Sequence, residues 1–354
     1  MPKKIIKKET KIKKIDLSSS GKVIQVPLVT AIIFSLILAG ASLAVGVVLM
    51  KIKTKISGLD ITNDSVKLTS KNVFAATKTD KPQLDFYVMS FCPYGNQIET
   101  TIRPIFDLLG DKVELRPRYI FDKIEGSLAN YCKTSSPDPA QCETYVKNSG
   151  GQLKNIADCQ QQIAVMVKNC NDESKYLKIG NNLYSSLHGR IEANQDVREI
   201  CAYNLATDKK LWWDFIKNTN DNCTSTNADT CWEEQAKKAG LDTNKITECF
   251  NKEAGALIEK EIADTTKYSI QGSPSLMIGE QAFPPEVDAA STDKNIKIND
   301  KVFSLANTRT PDVIKEALCS AFAKAPKECK TVLADPNAAA NAAAGGAAPA
   351  AGCQ

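Results

Sequence analysis

The sequence predicts an α/β fold in which one domain is interrupted by a large cysteine-rich helical insertion and preceded by a single transmembrane helix. Three observations predict it: a strand, cysteine, helix, strand unit over residues 84–119; helical patterning with eight cysteines between about Glu125 and Asp264; and a charge-free apolar run over Val26–Met50. At 354 residues the chain suffices for one large domain or two ordinary ones. With 43% hydrophobic and 24% charged residues it is unlike collagen, coiled coils or wholly disordered chains.

The first element is the apolar run VPLVTAIIFSLILAGASLAVGVVLM, 25 residues without a charge. At about 1.5 Å per residue it spans a hydrocarbon core with some tilt. Eight lysines precede it and three follow closely, so residues 1–25 form a cytoplasmic basic tail and everything after Lys55 is extracytoplasmic. A cleaved signal peptide is the alternative, but the apolar run continues past Leu38-Ala39-Gly40-Ala41 to Leu49, and Ala41 stands where a lipoprotein would carry cysteine. Residues 51–81 are expected to be a polar tether, and residues 331–354 an alanine-rich flexible tail too poor in large apolar groups to pack. The foldable part is then 82–330, with the insertion at about 125–264.

Leu84–Met89 is apolar and rich in strand formers. Cys92-Pro93-Tyr94-Gly95 follows, then Ile98, Ile102, Ile105 and Leu109 at helical spacing, with Pro104 expected to kink the helix. Val113, Leu115 and Tyr119 alternate in a second strand. In the insertion Asp242 is a plausible helix cap ahead of Ile246. Beyond it, Ser275–Ile278 reads as a strand directly after Gly272-Ser273-Pro274. Lys301–Leu305 reads as another, and Pro311 opens a helix ending near Cys319. The polar stretch Gln281–Asp300 reads as inserted between those two strands.

All twelve cysteines lie at or after Cys92, on the side of the membrane where disulfides persist. No Cys-x-x-Cys pair occurs and His188 is the single histidine, so no metal site is expected and His-based triads have little to build on. Cys92 stands apart. Pro93 suits the first position of a helix, which makes Cys92 its cap, and a thiolate there faces unpaired N–H groups and the positive end of the helix dipole. The plainer reading is a buried filler or half of a structural disulfide. Trp212 and Trp213 read as core rather than as a binding shelf. Asn222-Cys223-Thr224 matches a glycosylation acceptor in a eukaryotic setting.

The order strand, Cys-Pro-Tyr-Gly, helix, strand, helical insertion, Gly-Ser-Pro, strand, strand, helix resembles the thioredoxin-like fold of DsbA-like exported thiol-disulfide oxidoreductases. It is similar also to lysosomal thiol reductases of the interferon-inducible type. The resemblance implies a nucleophilic Cys92, helped by Pro93, and a cis proline at Pro274 lying against it. Ser273, with Tyr94, would meet an extended substrate peptide. Cys201, Trp212-Trp213-Asp214, Cys223, Cys231, Gly240-Leu241-Asp242, Ile246, Cys249, Ser273-Pro274-Ser275 and Cys319…Cys329 resemble the thioredoxin-like luminal segment of plant vacuolar sorting receptors, which bind cargo.

One departure matters: Gly95 stands where the family's second, resolving cysteine should be. Release of a mixed disulfide then requires an outside thiol, and Cys92 is expected to act alone as a reductase or isomerase. A resolving thiol from elsewhere, such as Cys353, is the less favoured alternative. Loss of redox function, leaving a peptide-binding module, is the other. Setting Cys92 and Cys353 aside leaves Cys132, Cys142, Cys159, Cys170, Cys201, Cys223, Cys231, Cys249, Cys319 and Cys329 as structural disulfide candidates, with Cys319–Cys329 suggested by the resemblance and by the small loop it closes.

The expected function is that of a membrane-anchored extracytoplasmic thiol-disulfide oxidoreductase or isomerase with no cofactor. Its partners would be exported proteins with thiols or disulfides, an external thiol reductant or redox partner, and the lipid bilayer. The net charge of +4 divides into +9 for residues 1–55 and −5 beyond them, so nucleic acid is a poor partner for the exported domain.

Overall fold

The structure, a computed structural model, describes residues 72–286 and 294–338 together with Cys353. The expected basic tail, the membrane helix over 26–50 and most of the tether lie outside these residues. Among the described residues no helix is long and apolar enough to cross a membrane. The described residues divide into two compact units, 137–164 in one and 72–136 with the residues after 164 in the other.

In chain order, β1 (Val73–Phe74) precedes β2 (Gln83–Val88), an almost wholly buried strand. Phe74 is 3% exposed, so the fold begins some ten residues before the expected tether ends. α1 (Pro93–Leu109) buries Ile98, Ile102, Ile105 and Leu109 and runs on through Pro104. β3 (Glu114–Tyr119) lies parallel to β2, with Phe86 opposite Pro117. β4 (Asp122–Lys123) leads to α2 (Leu128–Ser135), which is capped by Ser127 Oγ. α3 (Cys142–Asn148) and the start of α4 (Ile156–Cys170) belong to the smaller unit, where Cys142 is bonded to Cys159.

β5 (Leu177–Ile179) and β6 (Asn182–Ser185) form a hairpin turned at Gly180, whose φ of 59° suits glycine. This hairpin interrupts the run expected to be helical, and β4 adds to it on the β6 side. Then come α5 (Arg190–Leu205), α6 (Lys209–Asn222), α7 (Ala228–Lys238) and α8 (Thr243–Lys267). Asp242 caps α8, its Oδ1 accepting from the Asn244 and Lys245 N–H groups at 3.0 and 3.3 Å.

β7 (Ser275–Ile278) is antiparallel to β2 and is followed by β8 (Gln281–Phe283), giving a four-stranded sheet in the order β3-β2-β7-β8. The strand after Ser275–Ile278 is therefore inside the stretch read as an insertion. β9 (Asn295–Ile298) and β10 (Lys301–Ser304) belong instead to a separate sheet with β1. α9 (Pro311–Ser320) opens with Pro311 and packs on α1.

The core of the larger unit gathers Leu84, Phe86, Ile102, Trp212, Phe215 and Ile314 among others. Trp213 stacks on Phe86 with ring centroids 5.7 Å apart, and Trp212 Nε1 donates to the Glu199 carbonyl at 3.0 Å. Both indoles are core, with no face left over for a ligand. Four disulfides staple this unit besides the one at Cys92: Cys132–Cys170, Cys201–Cys249, Cys223–Cys231 and Cys319–Cys329. By loop-closure entropy the 8-residue separation of Cys223–Cys231 contributes about 2.5 kcal/mol and the 48-residue separation of Cys201–Cys249 about 4 kcal/mol. The longer link joins α5 to α8.

Of the expected tail, residues 331–338 and Cys353 are described. Lys315 Nζ donates to the Thr331 carbonyl, Leu333 N–H to Asp312 Oδ1 at 3.1 Å, and Asn337 Nδ2 to Gln97 O at 3.2 Å and Thr101 Oγ1 at 3.0 Å. Residues 331–337 thus lie along α9 and α1.

Candidate active site

β2 delivers the chain to Cys92 through Met89, Ser90 and Phe91. Cys92 has extended backbone angles, caps α1, and its Sγ accepts from the Gly95 N–H at 3.4 Å, with Pro93 in the first turn. These are the features that favour a thiolate. Cys92 is not a free thiol here. It is bonded to Cys353, 261 residues away, with Cα atoms 6.0 Å apart. The pairing is that of the less favoured alternative, Cys353, and of the plainer reading of Cys92 as half of a disulfide, rather than of a cysteine acting alone.

The two segments of the chain also pair through their backbones. Cys353 N–H donates to Ser273 O at 2.7 Å, and Ser273 N–H donates to Cys353 O at 2.8 Å, an antiparallel bridge. The Ser273–Pro274 peptide is cis. Pro274 helps to line an open cavity of about 390 Å³ with Tyr268, Gln271, Met277, Phe283 and Arg309. Tyr94 is half-buried and Pro93 exposed. The structure therefore brings Cys92 and Ser273 together around one segment of chain, that of Cys353.

Gly95 has a physical reason to be glycine. A β-carbon there would come within 2.8 Å of Ser273 Oγ and 3.3 Å of the Met89 carbonyl oxygen. Ser273 is fully buried, and its Oγ accepts from the Met89 N–H at 3.3 Å. The place of a second cysteine is occupied by a serine hydroxyl.

Behind the loop lies a set of buried acids that sequence reading missed. Glu192, Asp196 and Glu199 fall at spacings of four and three on α5, each 0–1% exposed. Phe91 N–H donates to Glu192 Oε1 and Ser90 N–H to Asp196 Oδ1, both at 2.9 Å. Ser90 Oγ lies 2.5 Å from Asp196 Oδ1 and 2.9 Å from Glu199 Oε2, and Tyr119 OH donates to Glu199 at 2.9 Å. One hydroxyl has one proton to give, so a carboxyl proton is needed to satisfy every contact. Burial, together with the charge of Glu192, raises Asp196 well above the usual carboxylate range. Burial lifts Glu199 to about 7 despite hydrogen bonds from Gln195, Tyr119 and Ser90. Glu99, which accepts from Asn220 Nδ2 at 2.7 Å, is raised by burial and by Glu199. His188 bonds Glu192 at 3.0 Å, which raises its pKa. The acidic spacing was visible in the sequence, but Val197, Ile200 and Cys201 drew attention to the apolar side of the same helix.

Residues 128–283 match the family model described as the vacuolar sorting receptor thioredoxin-like domain. Among solved structures, the chain is similar to a thioredoxin-like oxidoreductase from Silicibacter pomeroyi DSS-3, at 12% identity over 59% of this chain and 81% of that one, with a TM-score of 0.32. It is similar also to the cytosolic disulfide reductase DsbM from Pseudomonas aeruginosa, at 8% identity over 66% and 95% of the two chains, with a TM-score of 0.32. No curated protein matches the chain.

Proposed function

We propose that this chain is a membrane-anchored, extracytoplasmic thiol-disulfide oxidoreductase whose nucleophile is Cys92. One observation carries the reading: a cysteine-bearing segment lies antiparallel to Ser273 with its sulfur on Cys92, the arrangement a client would need at the moment of exchange. Once Cys92 is reduced, the Gly95 N–H and the α1 N-terminus favour its thiolate. That thiolate attacks a client sulfur while Ser273 holds the client backbone in register. Clients are exported proteins with thiols or disulfides, an external thiol or disulfide partner resets the site, and Val26–Met50 anchors the chain in the bilayer.

A second reading, a peptide or cargo-binding module without chemistry, is favoured by the receptor-type family match and by Gly95 in the second-cysteine position. One experiment separates the two. Exchange with a dithiol peptide is measured for wild type and for Cys92→Ser. Under the redox reading the variant loses exchange by at least a hundredfold. Wild type that binds the peptide without exchanging refutes it.

A further inference from the structure

We propose that Cys353 is the resolving cysteine of Cys92, so that the site is a dithiol pair split between the first helix and the C-terminus. This rests on the exchange reading and goes beyond it by replacing the outside thiol that Gly95 would otherwise require. The three observations behind it are independent. Cys353 Sγ is bonded to Cys92 Sγ. Its backbone makes both hydrogen bonds to Ser273, so it is seated in the groove rather than only tethered by sulfur. The position where a second cysteine would follow Cys92 is closed by Ser273 Oγ, 2.8 Å from any β-carbon at Gly95.

The chain length permits the arrangement. Asn337 is held on α1 by Gln97 and Thr101, about 14 Å along the helix from Cys92. From Ala338 to Cys353 an extended chain reaches at most about 50 Å. Cys353 therefore meets Cys92 intramolecularly, at an effective concentration on the order of millimolar.

The chemistry balances in either direction. In reduction of a client, the Cys92 thiolate attacks a client disulfide. A Cys92–client bond forms, the client bond breaks, and one client sulfur leaves as thiolate. The Cys353 thiolate then attacks Cys92 Sγ, the Cys92–Cys353 bond forms, and the second client sulfur leaves. The client gains two electrons, the pair loses two, and a dithiol reductant restores it. In oxidation, a client thiolate attacks Cys92 Sγ and expels the Cys353 thiolate. A second client thiolate then closes the client disulfide and frees Cys92, and a small-molecule disulfide re-oxidises the pair. Because Cys353 holds the Ser273 edge in the oxidised form, it must vacate that edge before a client chain can lie there.

The test uses the full-length chain and a one-cysteine peptide supplied as its mixed disulfide with glutathione. Wild type, Cys353→Ala and Cys92→Ser are opened with limited dithiol, freed of it, mixed with the probe, acid-quenched and weighed intact. Wild type consumes the probe and ends with no added mass. Cys353→Ala accumulates a one-to-one adduct of peptide or glutathione on Cys92, its release slowed at least tenfold and restored by added free cysteine. Equal turnover without adduct in Cys353→Ala overturns the resolving role while leaving Cys92 chemistry intact. No exchange and no adduct even in wild type overturns the exchange reading itself. In a dithiol titration of wild type, Cys92–Cys353 opens before the other five bonds; opening last marks it as a structural staple and overturns the proposal.

Discussion

Replacing Gly95 with alanine tests whether Ser273 guards the site. The new β-carbon meets Ser273 Oγ at 2.8 Å, a distance at which something must move, and the Met89 carbonyl oxygen at 3.3 Å, which a small shift accommodates. The serine hydroxyl can rotate away, but it then abandons the Met89 N–H it accepts from at 3.3 Å in a fully buried setting. Overpacking of this kind costs about 1–3 kcal/mol, offset by up to about 1 kcal/mol because alanine is the better helix former. Ser273→Ala alone removes the acceptor and leaves a buried donor unpaired, again about 1–3 kcal/mol. The double variant removes the clash, and the Met89 hydrogen bond is lost only once. Its destabilisation should therefore fall short of the sum of the single effects by about 1–2 kcal/mol. Urea unfolding of the oxidised proteins, with all disulfides verified by mass, reads these values from the midpoints at a common m-value. Additivity within about 0.5 kcal/mol would refute the reasoning, because it would mean that Gly95 and Ser273 do not share space.

Two further outcomes follow from buried charges. Glu199, fully buried and raised from 4.5 to about 7, binds its proton more tightly in the folded state, so its contribution is complete below about pH 4.5 and is lost as pH rises through 7. That loss is on the order of 3 kcal/mol between pH 5 and 8; Glu199→Gln should flatten the fall in urea midpoint, and an unchanged pH slope would dismiss the assignment. Asp85, 1% exposed, is held by Arg116 through contacts of 2.6 and 2.8 Å and by Gln83 at 2.7 Å. Arg116→Met should cost about 3–5 kcal/mol in thermal or denaturant unfolding, with much of it recovered on adding Asp85→Asn; a loss below 1 kcal/mol would mean the carboxylate is not desolvated as placed.

The legible parts of the fold are those where local pattern and tertiary environment agree. The apolar run of β2, the isoleucine spacing of α1 and the proline at the head of α9 each state their element directly. The β5–β6 hairpin was hidden because Leu177–Ile179 and Asn182–Ser185 are only three and four residues long within a helical stretch. Its alternation around Gly180-Asn181 was nevertheless a usable signal. The joining of the β9–β10 hairpin to β1 was not legible, since the pairing of β1 with β9 links residues more than two hundred apart and leaves no mark on either segment. At the site, Cys92 and the Ser273-Pro274 pair were readable from turn and cap chemistry together with family likeness. The Cys92–Cys353 bond was not, because a cysteine in an alanine-rich tail carries no local feature that names its partner.

The hydroxyl of Ser273 has a consequence for how such a site can change over generations. A chain that acquires cysteine at Gly95 first inherits the steric conflict, and one that loses the Ser273 hydroxyl first inherits an unpaired amide. Along the first path the conflict is relieved only when the hydroxyl goes too, so a cysteine at Gly95 calls for a second substitution at Ser273. Cys353 meets Cys92 without entering the space that Gly95 and Ser273 share. The sulfur bonded to Cys92 thus comes from 261 residues away while the packing of Gly95 against Ser273 is kept.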